Sequence, residues 1–188
     1  MILNQNNEYA AVLDACVLVP MPLCDTLLRL AEDPAFYRPL WREEILREAG
    51  DALEGKLGLS LSQRKRRLDA MRQAFPEACV PVPNDLLDAF ECGADKDDRH
   101  VVAAAVRGQA NAIITFNTKH FPRECLDEYG LLCQTPDEFL VHQFHLNPPL
   151  VLEKLDQQAV AISRQRVELT GTLAKVVPQF ATVLRQFS

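Results

Sequence analysis

Acidic side chains fall at separated places in this chain where they could act together. Asp14 stands near the end of the apolar run Tyr9 to Ala15 (YAAVLDA), and Asp95, Asp97 and Asp98 are bunched ahead of a small-residue stretch. Asn117 follows a second apolar run, Ala112 to Phe116 (AIITF). Carboxylates crowded together repel one another unless a cation neutralises them. Their hard oxygens suit Mg²⁺ or Mn²⁺, ions that bind through a few carboxylates and keep some of their waters. An ion so held lowers the pKa of a bound water and stabilises charge on the leaving oxygen of a phosphodiester. Other chemistries lack their parts. No Ser or Cys with His triad is apparent, and seven glycines include no G-x-G-x-x-G loop. The six cysteines, at 16, 24, 79, 92, 125 and 133, form no C-x-x-C pair, which argues against a zinc site.

A formal net charge of −6 is unusual for a partner of polyanions, but the charge is unevenly spread. Asn84 to Asp98 holds six acids and one base, whereas Arg99 to Arg123 holds four bases, no acid and two histidines. The switch at Asp98/Arg99 would set a carboxylate pocket beside a basic rim, as a metal-dependent enzyme acting on a polyanion requires. The run Arg64-Lys65-Arg66-Arg67 is better read as a solvated helix face.

The elements that must position these groups follow from apolar patterning. Strands are expected at Tyr9 to Ala15, Phe36 to Trp41, Cys79 to Val82, Ala112 to Phe116 and Leu131 to Gln134. Helices are expected at Leu23 to Ala31, Glu43 to Leu53, Ser60 to Phe75 (with Ser62 as a cap), Asp97 to Arg107, Pro122 to Tyr129 and Pro136 to Phe144. The strands are continuously apolar rather than alternating, which predicts an α/β fold with a parallel sheet covered on both faces. In open sheets of that kind, sites form beyond the carboxyl ends of the strands. Asp14, the Asp95 to Asp98 cluster and Asn117 would all converge there.

Three stretches then carry a resemblance. They are Val12-Leu13-Asp14-Ala15-Cys16-Val17-Leu18, Glu43-Glu44-Ile45-Leu46-Arg47-Glu48, and Asp95 to Ala105 followed by Ala112-Ile113-Ile114-Thr115-Phe116-Asn117. In order and spacing they resemble the PIN-domain ribonucleases, in particular the VapC-like toxins of bacterial toxin–antitoxin pairs, over about residues 9 to 143. The resemblance implies a three-layer α/β/α sandwich around a central parallel sheet. It implies Asp14, Glu48 and Asp98 as metal ligands and catalytic carboxylates, with Asp95 and Asn117 beside them. Arg99, His100, Lys119, His120 and Arg123 would contact RNA. Mg²⁺ or Mn²⁺ would be the cofactor, and an antitoxin protein or a second copy the partner. Two positions depart from the pattern: Cys16 stands where many members have Asn or Ser, and Asn117 where many have Asp.

Each residue also has a plainer reading. Asp14 could be a strand-end cap for the helix introduced by Pro20, Glu48 could be an exposed helix residue, the aspartates before Arg99 suit any helix N-terminus, and Asn117 suits a turn. The alternative functions are a PIN-like RNA-binding module without activity and a haloacid-dehalogenase-like phosphatase. The phosphatase needs a second acid two residues after Asp14, where Cys16 stands.

Asn147-Pro148-Pro149 marks a break, giving a nuclease-like domain over 1–146 and a helical extension over 147–188. The extension reads as helices at Val151 to Ser163 and Leu173 to Phe187, the second starting or kinking at Pro178. Their apolar faces must be covered by the parent domain, a second copy or an antitoxin peptide. No apolar run is long enough for a membrane span, and Met1 to Glu8 holds three Asn, one Gln and no base, unlike a secretory signal. A cytoplasmic protein with reduced, mostly buried cysteines is expected.

Overall fold

The computed structural model describes residues 9–83, 87 and 98–187. The described strands are β1 (Ala10–Leu13), β2 (Arg38–Leu40), β3 (Ala112–Ile114) and β4 (Leu132–Gln134), forming one parallel sheet in the order β2-β1-β3-β4. Every residue of β1 and β3 is fully buried, as continuous apolar strands between two helical layers should be. The fold is the expected α/β/α sandwich with a C-terminal helical extension. Its described helices are α1 (Ala15–Leu18), α2 (Met21–Ala31), α3 (Glu43–Leu57), α4 (Leu61–Ala74), α5 (Arg99–Arg107), α6 (Arg123–Asp127), α7 (Pro136–Leu146), α8 (Pro148–Ala161), α9 (Arg166–Leu173) and α10 (Pro178–Arg185).

Local chemistry explains where elements start and stop. Gly58 ends α3 in the left-handed region at φ 63°, the conformation glycine adopts without strain. Gly108 follows α5 where a Cβ would lie 2.8 Å from Leu40 Cδ1 and 2.9 Å from the Ala104 carbonyl, so a side chain there would force Leu40 and the end of α5 to shift. Helix α4 is capped by Ser60, not by the expected Ser62: Ser60 accepts from the Gln63 N–H while Gln63 reaches back. The expected strand at Cys79 to Val82 reduces to a single parallel bridge between Cys79 and Trp41. Pro81 and Pro83 lack the N–H groups that would continue the ladder.

The extension holds three helices rather than two. Pro178 cannot lie inside a helix without losing a hydrogen bond and clashing with the preceding turn, so α9 ends at Leu173 and α10 begins with Pro178 in its first turn. The three pack on the parent domain. Gln158 of α8 accepts from the Thr26 hydroxyl at 2.8 Å and donates to the Pro22 carbonyl at 2.9 Å. Lys154 donates to the Glu32 carbonyl at 3.0 Å, and Asp137 of α7 accepts the Gln179 and Phe180 N–H groups at 3.0 and 2.8 Å. Cys16, Cys24, Cys79 and Cys133 are free thiols, whereas Cys125 in α6 is disulfide-bonded, a departure from the expectation of reduced cysteines. Among the described residues, no helix is long and apolar enough to cross a membrane.

Candidate metal and nucleic-acid site

The register of β1 on β3 builds the centre of the site. Leu13 pairs with Ile114, so the next residues, Asp14 and Thr115, emerge side by side at the carboxyl edge of the sheet. Asp14 is 5% exposed. One of its oxygens accepts the Ala15 N–H at 2.7 Å, which makes Asp14 the cap of the short α1. The other accepts the Thr115 hydroxyl at 2.6 Å and the Cys16 thiol at 3.1 Å. Thr115 Oγ1 also accepts the Asn117 N–H at 3.0 Å, and Cys16 Sγ accepts the Phe116 N–H at 3.2 Å. Thus Cys16 does supply Asp14 with a hydrogen bond. Burial first, and the Asp14 charge second, push its thiol up to about 12, so it remains a protonated donor and a poor nucleophile.

Asp98 immediately precedes α5, yet it makes no cap hydrogen bond there. Its carboxylate instead meets His120 Nδ1 at 2.8 Å. His120 belongs to a 3-10 turn, Thr118–His120, that Asn117 opens. Burial raises the Asp98 pKa above the ordinary carboxylate value; the His120 hydrogen bond opposes this and the Asp14 charge adds to it. Asp14 and Asp98, far apart in the chain, therefore lie within reach of each other's field. Glu48, on α3, has Oε2 3.4 Å from Nε2 of the buried His100 on α5.

The expected RNA contacts are divided. Lys119 and Arg123 are exposed, as is Asn117. Arg99 is half-buried, and its Nε has no hydrogen-bond partner among the described residues. The two histidines face carboxylates: His100 is opposite Glu48 and His120 opposite Asp98. Asp95 lies outside the described residues. Among the described residues, no three His, Cys, Asp or Glu side chains are gathered closely enough to hold an ion between them. The donor set still fits a divalent cation chemically. Two hard carboxylates share one partly desolvated edge, and their mutual repulsion is what such an ion relieves. Thr115 lies outside the set of site residues that the resemblance implies, and its spacing of two before Asn117 is the signal for it in the sequence.

Comparisons with known proteins give the family. The PIN domain family matches residues 10–119. A Mycobacterium tuberculosis (strain ATCC 25618 / H37Rv) protein named "Putative ribonuclease VapC50" is 31% identical over 141 residues, covering 68% of this chain and 83% of the relative. No solved structure matches.

Proposed function

Because the chain belongs to the PIN-domain family, we propose that it is a metal-dependent endoribonuclease and the toxin of a type II toxin–antitoxin pair. The observation that carries this reading is the buried Asp14 carboxylate at the end of β1, within the field of Asp98. The ribonuclease name of the Mycobacterium tuberculosis relative supports RNA as the substrate. Residues 1–146 form the nuclease domain in this reading, and 147–188 a helical extension.

Asp14 and Asp98 would hold Mg²⁺ or Mn²⁺, with Glu48, Asp95 and Asn117 completing the donor set. The ion supplies an activated water and offsets charge developing on the phosphodiester. The chain's own residues set the frame. Thr115 and Cys16 fix Asp14 through its inner oxygen. His120 holds Asp98 in place through Nδ1, and His100 stands against Glu48. Lys119, Arg123 and Arg99 provide positive charge for the RNA backbone, and such phosphate contacts position a strand without reading its sequence. The formal charge lost by Asn117 in place of a carboxylate favours one ion over two close ones, since paired ions need shared carboxylates.

The test is incubation of purified protein with a mixed RNA pool in Mg²⁺, in Mn²⁺ and in EDTA. Cleavage should appear with either ion and vanish in EDTA; no cleavage with either would sink the enzymatic reading and favour a silent RNA-binding module. The toxin reading is tested in bacteria. Expression should slow growth, a small protein encoded beside it should relieve this, and Asp98→Asn should restore growth while remaining folded.

A further inference from the structure

Next to the carboxylate site, the 3-10 turn, α6 and β4 enclose a cleft of about 560 Å³. That volume falls within the range of roughly 300–1,000 Å³ typical of small-ligand pockets. Phe121, Leu126 and Leu131 are buried in its lining, and Leu132, at the start of the edge strand β4, is 55% exposed there. An apolar side chain on a sheet edge is a liability unless something uses it. The cleft also carries Lys119 and Arg123, both exposed. Arg123 has Asp127 at 3.5 Å, but both side chains are largely in solvent, where a phosphate can compete for the guanidinium. Lys119 makes no ion pair with any described residue.

The cleft is continuous with the site. Thr118 and Lys119 line it and belong to the same turn as His120, whose ring holds Asp98. On its β4 side, Cys133 pairs with Ile113 of β3, the strand that leads into Thr115 and Asn117. Burial first, then the charges of Asp14 and Glu138, push the Cys133 thiol up to about 11, so this wall lies within the field of the site's central carboxylate.

Apolar lining with two cations matches a nucleotide, which joins an apolar base face to an anionic backbone. Resting on the ribonuclease reading, we propose that this cleft binds the base of a single-stranded RNA residue next to the cleaved phosphodiester. Leu132 and Pro122 lie against the base, and Lys119 and Arg123 engage the flanking phosphates. Only an unpaired residue can present its base in this way, so the cleft selects single-stranded RNA over duplex.

The test measures anisotropy of short, labelled, phosphorothioate-linked RNAs that resist cleavage, in Mn²⁺ and again in EDTA at fixed salt. One abasic residue is moved stepwise along the oligonucleotide. Affinity should fall about tenfold when the abasic position occupies one register, as loss of a stacked base does, and hardly at all elsewhere. Leu132→Asp should weaken the intact RNA to a similar degree and erase the register effect, with its melting temperature close to that of the parent. Equal binding at every abasic register overturns the proposal, as does a Leu132→Asp variant that binds like the parent. Blockage of the cleft by a polypeptide partner alone, with no dependence on base or phosphate, overturns it too. If Leu132→Asp does not fold, the abasic series on the parent protein decides alone. A register effect without any RNA cleavage would keep the pocket and remove the ribonuclease reading; cleavage without a register effect would do the reverse.

Discussion

Among the described residues, the buried aspartates Asp14 and Asp137 have nearly equal exposure, 5% and 7%, and opposite surroundings. Asp137 gives both oxygens to the Gln179 and Phe180 N–H groups at the start of α10, where the helix dipole also favours a negative charge. Its charge is met within the fold, and the carboxylate fastens α10 to α7. Asp14 receives one backbone N–H, a hydroxyl and a thiol, all neutral donors, and adds its charge to the field at Asp98. One carboxylate is satisfied by the chain, and the other is placed where a cation is still needed. Burial alone therefore does not identify a functional acid; the partner that neutralises it does.

Substitution should separate the two roles. Asp14→Ala should lower metal-dependent RNA cleavage by on the order of a hundredfold or more, the scale of losing one preorganised electrostatic element. Its secondary structure by circular dichroism should persist. Asp137→Ala should do the opposite. It leaves two backbone donors without partners, one of them in the buried Phe180, at a cost of about 3 kcal/mol, or roughly 10 °C in melting temperature. Cleavage per folded molecule should stay at the parent rate. A stable Asp137→Ala protein, or an active Asp14→Ala protein, would erase the distinction.

The sequence made the first of these aspartates legible and hid the second. Asp14 ends a continuously apolar run, and that pattern suffices to place it at a parallel sheet's carboxyl edge. Asp137 follows Thr135-Pro136, a helix start in which an acid is ordinary, and nothing nearby announces a helix more than forty residues later resting on it. The same limit governs the rest of the site. The parallel sheet and the placing of Asp14 and Asn117 at strand ends follow from apolar patterning, but the order of the strands, the pairing of His120 with Asp98 and that of His100 with Glu48 depend on tertiary packing. The resemblance implies RNA contacts for both histidines, and only the tertiary structure adds that each stands against a carboxylate. Proline chemistry outweighs hydrophobicity at Pro81 and Pro83, where the expected strand shrinks to one bridge, whereas Pro178 opens α10 as its sequence suggests.

Asp98 sharpens the comparison from the metal side. Its pKa is raised on folding, so the folded protein holds that proton more tightly than the unfolded chain does. Its contribution to stability therefore declines as pH rises through the interval above the ordinary carboxylate value, and at neutral pH the ionised group opposes folding. Asp98→Asn should raise the metal-free melting temperature at neutral pH. It should also abolish any rise on adding Mn²⁺. A metal-free variant that melts below the parent would show that Asp98 stabilises the fold, as Asp137 does.

The smallest expected effect belongs to Glu138, the neighbour of Asp137 in α7. It forms a capping box, with one oxygen accepting the Thr135 N–H at 2.9 Å and the Thr135 hydroxyl at 2.8 Å. These bonds, the backbone one first, hold its pKa below the ordinary glutamate value. A lowered folded pKa contributes stability that is present above the unfolded value and lost as pH falls through the folded one. Glu138, like Asp137, is satisfied at a helix N-terminus, but it is exposed, so water screens the interaction and competes for the same donors. Glu138→Gln retains the shape and one acceptor. It should cost about 0.5 kcal/mol at neutral pH, within the range for exposed charges at helix ends. The difference from the parent should shrink on acidification below the glutamate range and narrow in high salt. Denaturant melts of both proteins at neutral and acid pH would measure it. A loss as large as that of Asp137→Ala would show that exposure does not weaken such a bond, and a loss independent of pH would show that the carboxylate's charge plays no part in it.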